Sequence, residues 1–63
     1  MKVFIERQNK HVELEAKDGN ELLSKLKINP AEILLIRNDA VILPEEKLMA
    51  EDEIKILSVV SGG

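Results

Sequence analysis

The hydrophobic pattern changes period at Asp18, and this change limits the folds open to the chain. Before it, Val3 and Ile5 alternate with Lys2, Phe4 and Glu6 across Met1 to Arg7. Beyond the polar, turn-prone Gln8-Asn9-Lys10, the residues Val12, Leu14 and Ala16 alternate with His11, Glu13 and Glu15. A period of two marks half-buried strands, so the first 16 residues predict a hairpin with Glu13 and Glu15 on its wet face. After Asp18 the period is helical. Asp18-Gly19-Asn20-Glu21 places an N-cap acid three residues before a glutamate, an arrangement in which each side chain can satisfy an orphan backbone amide. Leu22, Leu23 and Leu26 then share one stripe, and Ser24, Lys25 and Lys27 face away. Glu21 can meet Lys25 one turn on, and both lysines suit the negative end of the helix dipole. Pro30 forces an end near Ile28. A helix of about ten residues is marginal alone, so its leucines must pack on the sheet.

Two unbroken apolar runs follow, Ile33 to Ile36 and Val41 to Leu43, separated by the turn signal Asn38-Asp39 and closed by Pro44. Both read as short strands. Neither alternates, so neither reveals which residues face the helix. Glu45 to Glu53 is acidic and predicts a surface loop with a short turn, anchored by Leu48. Glu53 to Val59 is the last strand, with Ile54 and Ile56 on one face and Lys55 and Leu57 on the other. The order strand, strand, helix, strand, strand, loop, strand predicts an α+β fold: a mixed sheet of four to five strands with one helix packed across one face. Residues 1–60 form a single domain in this reading, and residues 61–63 a flexible C-terminal tail.

At 63 residues the chain supports one small core and no deep substrate-enclosing pocket is expected. The absence of cysteine removes disulfides, thiolate metal sites and a cysteine nucleophile, and points to a reducing, cytoplasmic setting. No apolar run is long enough for a signal peptide or a membrane span. A net charge of −3 and a single aromatic residue, Phe4, argue against nucleic-acid binding. His11, at a hairpin end without a second ligand in view, reads as a solvated turn residue. The carboxylates from Glu45 to Glu53 match no Ca²⁺ loop and read as a solvated acidic edge. No metal site is expected.

The last strand runs into Val59-Val60-Ser61-Gly62-Gly63. Two terminal glycines have no Cβ and can enter a channel too narrow for other residues. Alone, such an end is either an inert stub or a reactive handle. Taken with the chain length, the Asp18-capped Glu21-Leu22-Leu23 helix start, the Pro44-Glu45-Glu46 turn and the apolar final strand, it resembles the ThiS/MoaD sulfur carriers, prokaryotic relatives of ubiquitin with the β-grasp fold. The resemblance covers the whole chain.

It implies a carrier acted on by enzymes, and not an enzyme itself. A ubiquitin-activating-type adenylyltransferase would use ATP to convert the Gly63 carboxylate to an acyl-adenylate, and sulfur from a persulfide donor enzyme would replace AMP to leave a thiocarboxylate. Val60, Ser61 and Gly62 would thread the end into the partner. No cofactor is bound; ATP belongs to the activating partner. The acceptor implied is a synthase such as thiazole synthase, in thiamine thiazole formation. The same residues fit tRNA thiolation, molybdopterin synthesis, or a protein modifier joined to lysines through Gly63. An interaction domain with an inert tail is the third class of reading. The family's open sheet face docks the activating enzyme, which nominates Phe4, Leu57 and Val59 as the interface of a chain that is monomeric when free. Phe4 and Leu57 as exposed apolar neighbours fit that role. One stretch departs from the pattern: family members commonly have an Asp-Gly-Asp-like turn before the last strand, and here it reads Ala50-Glu51-Asp52. Glu51 is expected to be strained if that position needs a left-handed backbone, or the turn is built differently.

Overall fold

The structure is a computed structural model and describes residues 1–59. Five strands form one sheet: β1 (Lys2–Ile5), β2 (Lys10–Glu13), β3 (Ile33–Arg37), β4 (Ala40–Ile42) and β5 (Glu53–Ser58), in the order β2-β1-β5-β3-β4. The helix α1 (Gly19–Leu26) lies across one face. β1 and β5 are parallel neighbours, and the other pairs are antiparallel. β5 is therefore the central strand, hydrogen-bonded on both edges.

The alternation read from the sequence sets the packing. Val3, Ile5, Ile54 and Ile56 point at the helix and are buried. The register Leu35↔Ile56 and Leu35↔Ile42 places Leu35 and Ile42 on the same side. Leu22 and Leu23 close this core from the helix, and Met1 and Leu48 seal its edges. Leu48 is the anchor expected of the acidic loop, and its N–H donates to the Lys17 carbonyl at 2.9 Å.

Several boundaries differ from the pattern for local reasons. β1 ends at Ile5, and not at Arg7, because Glu6–Gln8 coils into a 3-10 turn closed by Asn9 in the left-handed region (φ 49°). Regular pairing of β2 covers Lys10–Glu13; beyond it the ladder continues only through Leu14 N–H to Met1 O (3.2 Å) and the Met1 α-amino group to Leu14 O (3.0 Å). The helix stops two residues before Ile28 because Lys27 adopts φ 58°. Ile28 N–H then reaches Leu23 O at 2.9 Å and Lys27 N–H reaches Ser24 O at 3.1 Å, the two bonds of a Schellman closure.

At the other end Asp18 Oδ1 accepts from Glu21 N–H at 2.8 Å, and the Glu21 carboxylate accepts from Lys17 N–H, also at 2.8 Å. The reciprocal cap forms one residue further back than expected. Glu21 is thereby held away from Lys25, whose ammonium donates to Glu15 O at 2.7 Å.

Asn38 and Asp39 both have positive φ, 49° and 71°, as a two-residue hairpin turn between β3 and β4 requires. Glu51 is not strained: it is absent from the left-handed residues. The turn is built instead on Asp52, which is only 8% exposed. Its carboxylate accepts from Met49 N–H at 2.7 Å while its own N–H donates to Met49 O at 3.0 Å. A buried carboxylate that caps its own turn does the work a glycine would do by conformational freedom.

Candidate functional site

The residues expected to carry the chemistry follow β5 in the chain. Its last strand residue, Ser58, pairs with Ile33, and the next amide, Val59 N–H, donates to Glu32 O at 3.0 Å. The chain thus leaves the sheet from its central strand, whose last two residues, Leu57 and Ser58, pair with β3 alone. Val60, Ser61, Gly62 and Gly63, expected to thread into a partner and carry the reactive carboxylate, lie outside the described residues.

The face of the sheet opposite the helix is open. The parallel register Phe4↔Lys55 and the antiparallel register Leu34↔Leu57 and Ile36↔Lys55 place Phe4, Leu57, Leu34 and Ile36 on it around Lys55. Val41 extends the row onto β4. Phe4 and Leu57 share the face as expected, one step apart in register, and both are half-buried. Val59 is 51% exposed at the root of the tail.

Sequence reasoning missed Leu34, Ile36 and Val41, since an apolar run without alternation hides its own facing. It also misplaced His11. This residue lies within β2 opposite Phe4, and their rings sit 4.6 Å apart at an interplanar angle of 38°. His11 shields one side of Phe4 and is part of the open face, not of a turn.

On the helix side of β5 lies a groove of about 340 Å³. Its floor is Ile5, Leu26, Ile28, Ile33 and Ile56, and Ser58 lies at its edge. It is a partly enclosed surface groove between the helix end and the sheet. Among the described residues no group of three or more His, Cys, Asp or Glu could hold a metal ion, and no helix is long and apolar enough to cross a membrane.

A five-stranded mixed sheet crossed by one helix, with the final strand at its centre, defines a ubiquitin-like β-grasp domain. The family model described as "ThiS family" matches residues 2–63, and the chain belongs to that family. It is also similar to the sulfur carrier protein TtuB of Thermus thermophilus, with 30% identity over 57 residues that cover 89% of this chain and 88% of the relative.

Proposed function

We propose that this chain is a sulfur carrier that holds sulfur as a thiocarboxylate on Gly63, and that it supplies a thiazole synthase in thiamine biosynthesis. The observation that carries the reading is the family match, which runs through Gly63 on a chain whose central strand leads directly to that end. The similarity to a sulfur carrier protein supports the carrier part of this reading.

The chemistry follows from what a carboxylate lacks. It is a poor acyl donor because its leaving group would be oxide. Attack of the Gly63 carboxylate on the α-phosphorus of ATP, with loss of pyrophosphate, converts that oxygen into part of AMP, a good leaving group. The terminal sulfur of an enzyme persulfide then attacks the acyl carbon and AMP departs, forming an acyl disulfide. A thiol attacks the enzyme-side sulfur, is oxidised to a disulfide with it, and releases the thiocarboxylate. The chain has no cysteine, so persulfide and thiol both come from partners in the cytoplasm. The protein contributes a carboxylate on a side-chain-free end, an origin for that end in the central strand of the sheet, and a surface for the activating enzyme. It is a cosubstrate of these steps, not their catalyst.

Mass spectrometry of the intact protein from its native cell tests this directly. The expected result is a fraction in which one oxygen is replaced by sulfur, and transfer of that sulfur when purified carrier is given to thiazole synthase. Gly-Gly remnants on lysines of other proteins would move the assignment to a protein modifier. An unmodified chain that also resists ATP-dependent adenylation would sink the carrier reading.

The open face is the surface we assign to the adenylyltransferase, with Phe4 and Leu57 as anchors and Val59 beside them. Apolar anchors of an interface commonly contribute more than 1 kcal/mol each when truncated. Phe4→Ser and Leu57→Ser are each expected to raise KM for activation about tenfold. Because both side chains point away from the core, the variants should retain the fold by circular dichroism. Unchanged activation kinetics would remove the open face from the interface.

A further inference from the structure

Lys27 occupies a position where its residue type is disfavoured. The left-handed residue of a Schellman closure is most often glycine, because any Cβ there is penalised. Here a lysine holds φ 58°, and it lines the groove beside Ser58. Arg7 lines the same groove from the 3-10 turn that Asn9, also left-handed at φ 49°, closes. Both residues are solvent-exposed and line the groove next to these two left-handed turns. The carboxylate that lines the groove, Glu32, accepts from the Asn29 side chain at 3.4 Å. The groove combines an apolar floor with an excess of positive charge, on a chain whose net charge is −3.

The groove is also placed next to the tail. Glu32 and Ser58 line it, and the Glu32 carbonyl holds Val59 N–H at 3.0 Å. Gly63 is four residues beyond Val59, so its carboxylate lies at most about 14 Å further along a fully extended chain. An enzyme that holds this carboxylate in its active site therefore comes within about 14 Å of Val59, at the edge of the groove.

We propose that the groove is a second docking site, which receives an apolar side chain flanked by a carboxylate from a loop of the enzyme that adenylates Gly63. The proposal rests on the carrier reading above. The open face lies on one side of β5 and the groove on the other, so a partner that uses both grips the strand from two sides and fixes the direction in which the tail leaves. Lys27 is a positioning residue in this arrangement, and its charge stands at a left-handed helix end where glycine would carry no strain.

The test separates charge from structure. Lys27→Gly relieves the left-handed strain and is expected to raise the melting temperature by a few degrees while raising KM for activation about fivefold; Lys27→Arg should keep KM near that of the unaltered protein. The KM difference should shrink at high salt. A more stable Lys27→Gly with unchanged KM overturns the proposal.

A second measurement does not depend on the carrier reading. The full ¹⁵N-labelled chain is titrated with 4-methylpentanoate and, separately, with the neutral 4-methylpentanamide. The carboxylate is expected to shift the amides of Ile28, Ile33 and Ser58 more than the amide does, and the preference should vanish in an Arg7→Glu/Lys27→Glu variant. Equal responses to the two probes, or none, overturn the proposal. If the unaltered chain is not adenylated at all, the carrier reading falls, and the titration alone judges the groove.

Discussion

Deletion of Gly62 and Gly63 is expected to abolish adenylation and thiocarboxylate formation while leaving the melting temperature nearly unchanged. The buried core runs from Met1 to Ile56, and the last described backbone bond from the end of the chain to the body is Val59 N–H to Glu32 O. Neither uses the two glycines, so the cost should fall within the roughly 0.5 kcal/mol typical of surface changes, or about 2–4 °C for a domain this small. Function is another matter. The shortened chain still ends in a carboxylate, but one on Ser61, two residues or about 7 Å short of the original reach. It also carries a side chain where none stood. A displacement of about 1 Å at a reacting centre can cost 100-fold, so the variant should fall below detection in pyrophosphate exchange. Differential scanning calorimetry and that exchange assay on the same sample check both halves. Retained activity would separate the chemistry from Gly63, and a large fall in stability would make the tail structural.

The sequence exposed those features that have a period and concealed those that do not. Val3, Ile5, Ile54 and Ile56 alternate with polar neighbours, and each points at the helix as the alternation requires. The Asp18 cap and the Leu22-Leu23 stripe were legible for the same reason. The facing of Leu34, Ile36 and Val41 was not, because a strand that is apolar on both faces shows no alternation. That same ambiguity concealed the breadth of the open face. Lys27 is hidden for a different reason: its residue type says nothing of φ 58°, and Pro30 by itself accounts for a helix stop. Asp52 reads as one acid among several, and only its bond to Met49 N–H shows that it closes the turn before β5. The groove was not legible at all, since it joins residues from β1, the helix end, β3 and β5.

Gly19 is the clearest case of a role that composition cannot show, and its replacement by alanine is expected to be the most damaging single-methyl change in the domain. At the sequence level it is the first residue after a helix cap, a place where alanine is usually acceptable and often stabilising by up to about 1 kcal/mol. The structure places it elsewhere in energy. It is buried, and the next amide, Asn20 N–H, donates to Pro44 O at 2.8 Å, which draws the helix start onto the loop that follows β4. A Cβ built on Gly19 would stand 2.6 Å from Leu35 Cδ1, 2.7 Å from Pro44 O and 2.9 Å from Pro44 Cα. Two of these neighbours are backbone or ring-constrained, and the third belongs to a side chain only 2% exposed. None can yield without disturbing the core or the Asn20 bond. Overpacking of this kind costs about 1–3 kcal/mol, which exceeds the helix-propensity gain. A net loss of about 2 kcal/mol corresponds to a fall of roughly 8–16 °C in melting temperature for a domain of this size. The urea midpoint should fall with little change in slope, because the same surface is exposed on unfolding. Shortening Leu35 in the same molecule should not rescue Gly19→Ala, since the two contacts to Pro44 remain. An unchanged or raised midpoint would mean that the helix start and the Pro44 loop slide apart freely. In that case the approach of α1 to the sheet is set by Leu22 and Leu23 alone.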